Sequence, residues 1–122
     1  MGSGFELFRV YEITSVSTSE VSGFADPDAA LSPLSTSVNI TKEGMVSAAA
    51  VAVVGIGGSP GAPAFKDVTL VIDGVTIGTK SGLIHGSRDC SAGTISVTAT
   101  PSPTTGGDYK VAKLHVEGYE KI

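Results

Sequence analysis

The stretch over residues 66–79, KDVTLVIDGVTIGT, constrains the fold of this 122-residue chain more than any other part of it. Two runs rich in β-branched residues flank the dipeptide Asp73-Gly74. A type I′ turn needs a positive φ angle at both central residues, and Asp followed by Gly tolerates that conformation best. The stretch therefore predicts a β-hairpin with strands over residues 67–72 and 75–79.

The rest of the chain repeats this pattern of short β-rich runs that are separated by Gly, Pro and Ser. Further strands are predicted over residues 5–16, 36–42, 45–54, 81–85, 94–100 and 109–122. Three consecutive alanines make residues 45–54 a candidate helix, but the valines and flanking glycines favour a strand. A break in the alternation of the last run predicts a β-bulge near Ala112 and Lys113.

Four segments carry no strand pattern and are predicted to be irregular: residues 17–35, 55–63, 86–93 and 101–107. The first segment is long for a connection in a compact domain, which indicates a functional loop or an arm that crosses to a neighbour. The last segment is predicted to be a long hairpin loop between two strands.

About eight strands, with turn signals roughly ten residues apart, are typical of an antiparallel β-sandwich or jelly roll. We therefore predict an all-β fold with a single sandwich over residues 36–122. Residues 1–35 are predicted to form an N-terminal strand and an extended arm that serves anchoring or assembly. Residues 5–16 are apolar on both faces, so we expect this strand to contact a second sheet or another subunit.

The charge content narrows the classes of partner. Only 16% of the residues are charged, against about 25% in a typical soluble protein. Ser, Thr and Gly fill the difference, which suits extracellular, virion or adhesive β proteins, or a surface that neighbours cover. The net charge is −4 and the basic residues are scattered singly, which argues against a nucleic-acid partner because phosphates require a basic patch.

The N-terminal sequence MGSGFELFRVYE has no basic region followed by an apolar core, so it does not predict a signal peptide. The longest apolar run, over residues 45–56, is shorter than the roughly 20 residues that a membrane-spanning helix needs. We expect a protein made in a host cytoplasm, with no membrane partner.

The stretch GGSPG over residues 57–61 matches the nucleophile pattern G-x-S-x-G of hydrolases. In that pattern the residue after the serine donates its backbone N–H to the oxyanion. Here that residue is Pro60, which has no N–H to donate. We interpret the stretch as a plain loop, and no catalytic residue is predicted anywhere in the chain.

Metal and cofactor sites are also not predicted. His85, Asp89 and Cys90 match no established ligand spacing, and Asp26 and Asp28 are too few oxygens for a calcium loop. The single cysteine is expected to be a small half-buried residue, with an intermolecular disulfide or a reactive thiol left open.

A histidine near the C-terminus, His115, shares a predicted strand face with Glu117 and Tyr119, and we interpret it as a solvated or interface residue. Asn39-Ile40-Thr41 is a formal glycosylation sequon that we interpret as part of a strand. Aromatic residues that stack on sugars are scarce, since the chain has no Trp and three Tyr.

From Thr36 onward, the order of the segments SVNITKEGMVSAAAVAV, KDVTLVIDGVTIG, ISVTATPSP and KLHVEGYEKI resembles a TNF/C1q-type jelly roll. Modules of this kind occur in head-decoration, fibre and collar proteins of bacteriophages. The resemblance implies a non-enzymatic virion protein that assembles by symmetry, with itself as a homotrimer and with a major capsid or other virion protein. It also implies an N-terminal anchor, for which the candidate partner-binding residues are Phe5, Leu7, Phe8, Arg9, Val10, Tyr11 and Ile13.

Our first hypothesis is therefore a structural module that decorates or cements a phage particle, located in the virion. The alternative hypothesis is a carbohydrate-binding or adhesin-type β-sandwich. Neither hypothesis requires a cofactor, and neither predicts enzymatic activity.

Overall fold

A computed structural model describes residues 13–25, 30–56, 62–102 and 110–121, and all the regular elements in these ranges are β-strands. They are β1 Ile13–Ala25, β2 Leu34–Ile40, β3 Gly44–Ile56, β4 Ala62–Phe65, β5 Asp67–Ile72, β6 Val75–Ser81, β7 Ile84–Cys90, β8 Gly93–Pro101 and β9 Lys110–Lys121. The described residues contain no helix with the length and apolar character needed to cross a membrane.

The strands form two sheets in which every pair is antiparallel. One sheet has five strands in the order β1-β9-β3, and the far edge of β3 pairs first with β7 and then with β4. The other sheet has four strands in the order β2-β8-β5-β6. This arrangement is a β-sandwich, so the predicted all-β sandwich class is confirmed.

The hairpin predicted at Asp73-Gly74 is confirmed. Asp73 has a φ angle of 53° and Gly74 one of 78°, the two positive values that a type I′ turn requires. Strands β5 and β6 pair on either side of this turn. The predicted strands over residues 36–42, 45–54, 94–100 and 109–122 are also present, as β2, β3, β8 and β9.

The core lies between the two sheets and is built from alternate residues of each strand. Strand β3 packs against β5 across the sandwich. The small inward residues Ala48, Ala50 and Ala52 of β3 complement larger residues on the opposite sheet, which are Val68, Leu70 and Ile72. Burying a side chain of the size of Leu or Ile contributes about 1.5–3 kcal/mol, so this layer is the main source of stability.

The prediction that residues 17–35 are irregular is wrong for the first half of this segment. Residues up to Ala25 belong to β1, which pairs with β9 from Ile13 to Ala25. This part of the predicted N-terminal arm is therefore a strand of the sandwich. The anchoring role of residues 1–35 stays a prediction, and residues 1–12 and 26–29 lie outside the described part.

The predicted turn over residues 86–93 is also wrong, because β7 continues to Cys90 along the edge of β3. Gly86 suits its position in this strand because it has no side chain. A Cβ there would lie 2.5 Å from the Cγ2 of Ile77 and would clash with it. The turn-forming residues of GSRDC are thus held in a strand by pairing with β3, not by their own propensity.

The predicted bulge in β9 is absent, because inward residues alternate without a break from Lys110 through Ala112 to Gly118. Lys110 is buried and Val111 points outward, which reverses the polarity expected at these two positions. In this sheet a register irregularity lies instead in β1, between Ser15 and Ser17.

The connection after Pro101 is not a hairpin loop, because β8 and β9 belong to different sheets. The predicted loop over residues 55–63 is shorter than expected, since β3 extends to Ile56 and β4 begins at Ala62. Residues 57–61 and 103–109 lie outside the described part.

Candidate functional site

Strand β9 lies between β1 and β3, and its sequence KVAKLHVEGYEK alternates strictly. The inward residues fill the core, while the outward residues point to the outer face of the five-stranded sheet. These outward residues are Val111, Lys113, His115, Glu117 and Tyr119. A central strand has neighbours on both sides, so each of these side chains can be fixed from two directions.

Polar side chains on β1 and β9 form one connected network on this outer face. Glu20 of β1 lies directly opposite His115, and its carboxylate contacts Lys113 Nζ at 3.1 Å and His115 Nδ1 at 3.0 Å. On the other side of the ring, His115 Nε2 lies 3.0 Å from Glu117 Oε1. Tyr119 donates its hydroxyl to Glu117 Oε2. We call this outer face of the five-stranded sheet the ladder face.

Both ring nitrogens of His115 face carboxylate oxygens, which favours the protonated form of the ring. A neutral imidazole has one N–H, so it can donate to only one of the two carboxylates. The protonated ring donates to both Glu20 and Glu117. Consistent with this geometry, the hydrogen bonds that the ring donates to Glu117, and then to Glu20, raise the pKa of His115 above its ordinary value of 6.5.

The acidic partners show the complementary effect. The hydroxyl of Tyr119, and then the ring of His115, lower the pKa of Glu117. The hydrogen bond from Lys113, followed by that from His115, lowers the pKa of Glu20. The hydrogen bond to Glu117 raises the pKa of Tyr119. With His115 protonated the two carboxylates and the two cations cancel, so the network has no net charge.

These contacts are exposed, and exposed ion pairs contribute only about 0–1 kcal/mol each to stability. The side chains of Lys113 and Glu20 are 56% and 47% exposed. The network therefore adds little to the stability of the fold. Its main physical consequence is that it holds carboxylate, imidazole and phenol groups in fixed positions on an open surface.

Beside the network, strand β3 presents small side chains. Ser47 lies opposite Glu117, and Ala49 lies opposite His115. On the far side of β3, Ser87 and His85 of β7 lie opposite the same two residues. The surface over Ser47 and Ala49 is therefore lower than Glu117 and His115 on one side and His85 on the other, and these two sides are about 10 Å apart, or two strand spacings.

One end of the ladder face is apolar. Phe24 lies opposite Val111, Val111 opposite Val53, and Val53 opposite Phe65, so four strands contribute to one row. Phe24 is 67% exposed and Phe65 is 63% exposed. The polar network and this apolar row share one face of the sheet.

The outer face of the four-stranded sheet is different, and we call it the hydroxyl face. Strands β2 and β8 contribute no charged side chain to it. Their outward residues are Ser35, Ser37, Asn39, Thr94, Ser96, Thr98 and Thr100. Hydroxyl and amide groups pair locally here, as in the 2.5 Å bond that Thr94 Oγ1 donates to Asn39 Oδ1.

The structure describes only one of the predicted partner-binding residues. Phe5, Leu7, Phe8, Arg9, Val10 and Tyr11 lie outside the described residues. Ile13 begins β1, opposite Lys121. Their proposed role in binding stays a prediction.

The other residues considered as metal ligands do not form a common site. His85 and Asp89 point to the ladder face from β7, whereas Cys90 is buried, and burial raises the pKa of its thiol. No group of His, Cys, Asp and Glu within the described ranges is arranged to hold a metal ion. Asn39 lies in β2, as the strand interpretation of the sequon expected. Ser59, Asp26 and Asp28 lie outside these ranges.

The sequence correctly grouped His115 with Glu117 and Tyr119, but it missed Glu20 and Lys113. Glu20 lies in the segment that was interpreted as irregular, because the inward residues Ser17, Ser19 and Gly23 of β1 are not apolar. The sequence carried one weak sign of this strand. In TSEVSGF every second residue, which is Thr18, Glu20, Ser22 and Phe24, points outward. The pairing of β1 with β9 then places Glu20 opposite His115.

No family model matches this chain. No curated protein sequence matches it. Among solved structures, it is similar to the EclA C-terminal domain, a sugar-binding protein, with a TM-score of 0.49, 15% identity, and coverage of 83% of this chain and 80% of that chain.

A second similar structure is a family 35 carbohydrate binding module from Clostridium thermocellum, with a TM-score of 0.45, 10% identity, and coverage of 86% of this chain and 97% of that chain. A third is dimeric latent PorU from Porphyromonas gingivalis, with a TM-score of 0.47 and 9% identity. The similar part spans 87% of this chain but 13% of PorU. Similarity at this level identifies no ligand, so a function has to be argued from the ladder face itself.

Proposed function

We propose that this chain is a carbohydrate-binding module and that the ladder face is its binding surface. The observation that supports this proposal is the network of Glu20, His115, Glu117 and Tyr119. It holds several hydrogen-bonding groups in place before any ligand arrives. Such preorganisation lowers the entropic cost of binding, which matters for flexible and strongly hydrated ligands such as glycans.

Glu117 is the central acceptor for a sugar hydroxyl. One carboxylate offers about four acceptor positions. His115 and Tyr119 occupy one position on each oxygen of Glu117. The remaining positions accept O–H groups, and hydrogen bonds to an ionised acceptor are roughly twice as strong as neutral ones.

The low strip over Ser47 and Ala49 provides the space for a sugar ring. A ring above these residues lies between Glu117 and His115 on one side and Ser87 and His85 on the other. Both borders carry groups that donate or accept hydrogen bonds. The ring of Tyr119 and the exposed Phe24 offer apolar surface for the C–H faces of sugars.

A two-step experiment tests this proposal. The chain is first screened on a glycan array, and the strongest soluble oligosaccharide is then titrated by calorimetry. Glu117→Gln removes the charge and leaves the shape, so it is expected to weaken binding at least about tenfold, which corresponds to the roughly 1.4 kcal/mol expected from a charge-assisted hydrogen bond.

The matched control is Asp67→Asn, the same change at an exposed carboxylate of the four-stranded sheet. It is expected to leave binding unchanged. An array without competable hits, or an equal loss in the two variants, would contradict the assignment of glycan binding to the ladder face.

A second candidate function is the virion role that the resemblance implies, and one observation favours it. Most of the predicted anchor residues precede β1 in the sequence and Ile13 is its first residue, while β1 is a 13-residue strand at the edge of its sheet. A segment that leads into an exposed edge is well placed to add a strand to a partner. In this role the chain decorates or cements a particle as a non-enzymatic component.

Co-sedimentation with phage particles that lack the module tests the virion role. The full chain is expected to bind the particles, and a chain without residues 1–12 is expected to remain in the supernatant while retaining its β-sheet circular dichroism. Binding by the truncated chain would exclude these residues as the anchor.

A further inference from the structure

Strand β1 lies at an edge of the five-stranded sheet, and within the described ranges it pairs with β9 only. An edge strand exposes a row of backbone N–H and C=O groups that another strand can pair with. Proteins usually block such edges with lysine, proline, frequent bulges or very short strands.

Most of these devices are missing from β1. It is 13 residues long, and its sequence ITSVSTSEVSGFA contains no Lys, Arg or Pro. Its one charge is Glu20, which is already paired with Lys113 and His115. The register irregularity lies between Ser15 and Ser17, so the nine residues from Ser17 to Ala25 are free of bulges.

The inner side of β1 is also incompletely covered. Ser17, Ser19, Val21 and Gly23 point toward the core but are only half-buried, whereas the inward residues of β9 are buried. Val21 packs on the core from this open edge. The nearest cover is β2 of the other sheet, through the hydroxyl contact of Ser19 with Thr36. A strand added beside β1 would cover Val21 further.

The segment over residues 17–25 is complementary to itself. An antiparallel pair centred on Val21 places Val21 opposite Val21 of a second copy, and Ser19 opposite its Gly23. On the outer face the same register places Glu20 opposite Ser22 and Thr18 opposite Phe24. This register places no like charges opposite each other, and it buries the apolar Val21 on the two-fold axis.

We propose that two copies of this chain associate through antiparallel pairing of their β1 strands, with Val21 on the two-fold axis. The five-stranded sheets then form one continuous sheet of ten strands across the dimer. The ladder face stays open over β3 and β7, so this association does not depend on glycan binding. Because strand pairing supplies most of the contact, we expect dissociation in the micromolar range.

Analytical ultracentrifugation of the full chain over a concentration series tests the dimer. Val21→Lys and Val21→Glu each place two like charges at the axis, and each is expected to raise the dissociation constant at least tenfold. An equimolar mixture of the two variants is expected to associate again, because Lys then faces Glu. The matched control is Thr100→Lys, which adds the same charge to the hydroxyl face and is expected to dimerise like the wild type.

A cross-link provides a second measurement that does not depend on the charged variants. With Thr18 opposite Phe24 of the second copy, a chain carrying Thr18→Cys and Phe24→Cys is expected to form a covalent dimer under mild oxidation. A chain carrying Thr100→Cys is expected to associate like the wild type but to form no covalent dimer. A wild-type chain that is monomeric throughout the series, a Val21→Lys chain that dimerises normally, or a double-cysteine chain that folds without cross-linking would overturn the proposal.

Discussion

The two outer faces of this sandwich use similar strands for different surfaces. The ladder face combines two carboxylates, an imidazole, an ammonium and a phenol with an apolar row. The hydroxyl face has Ser, Thr and Asn along β2 and β8, where Thr94 donates a hydrogen bond to Asn39. In both sheets, inward core residues alternate with outward residues along the strands. The two faces therefore differ only in the types of side chain at the outward positions.

The difference shows what a central strand contributes to recognition. On the ladder face, β9 receives Glu20 from one neighbour and small residues from the other, so charged groups are fixed beside a low strip. On the hydroxyl face, β2 and β8 carry only short uncharged side chains on their outward positions, so no charged group is held there by its neighbours. We therefore expect ligand recognition on the ladder face and a mainly structural role for the hydroxyl face.

The largest expected effect on stability comes from breaking the five-stranded sheet at Gly44. A Cβ at this position would lie 1.9 Å from the backbone oxygen of Tyr119. Backbone atoms cannot move as a side chain can, so Gly44→Ala is expected to lower the free energy of unfolding by about 3 kcal/mol, at the upper end for overpacking. Urea denaturation measures this change.

The control for this substitution is Gly78→Ala in the four-stranded sheet, where the new Cβ would meet only the Cδ1 of Ile84 at 3.8 Å. This ordinary contact is expected to change stability by less than about 1 kcal/mol. Equal stabilities of the two alanine variants would show that the close approach of β3 to β9 is not as tight as described.

A smaller effect is expected when the pH changes, and on the ladder face it acts through His115, Glu20 and Glu117. Because the pKa of His115 is raised in the folded protein, its contacts stabilise the fold fully below the unfolded value near 6.5 and lose this contribution as the pH rises through the folded value. The pKa values of Glu20 and Glu117 are lowered, so their contributions are lost in acid, as the pH falls through their folded values.

The difference in unfolding free energy between the wild type and His115→Gln is therefore expected to shrink as the pH rises through the folded pKa of His115, which lies above 6.5. Urea midpoints at a series of pH values measure it. A difference that stays constant from acid to alkaline pH would mean that the double contact of the ring does not form in solution.

The smallest effect is expected on the hydroxyl face. Thr69 and Thr79 share a hydrogen bond of 2.8 Å between their hydroxyls, and cross-strand pairs of this kind contribute about 0.2–1 kcal/mol. Thr69→Val removes the bond but retains the β-branched shape, so stability should change by less than about 1 kcal/mol. A loss above about 2 kcal/mol in thermal or urea melts would show that this face is more tightly coupled than its local pairs suggest.

The fold could be predicted from the sequence where turn residues and hydrophobic alternation indicate the same structure. Asp73-Gly74 identified its turn, and strict alternation located β8 and most of β9. The intrinsic strand propensity of the residues gave the wrong prediction where pairing with a neighbouring strand decides whether a segment is a strand. The serines of β1 and the turn-forming residues of β7 become strands because β9 and β3 offer them edges.

The candidate site was predictable only within one strand. His115, Glu117 and Tyr119 are two residues apart, so their common face follows from the period of a strand. Glu20 is 95 residues from His115 in the chain, and Ser47 and Ser87 come from two further strands. Their meeting depends on the order of strands in the sheet, which no local pattern in this sequence specifies.

We propose that the ladder face, and not the hydroxyl face, recognises glycans. Backbone amide NMR shifts, recorded while the best soluble oligosaccharide from the array is titrated, distinguish the two faces. We expect saturable shifts at Lys113, His115 and Glu117 of β9 and at Ser47 and Ala49 of β3, with β8 unchanged. Shifts concentrated at Thr94–Thr100, or no saturable shifts with any array hit, would contradict this proposal.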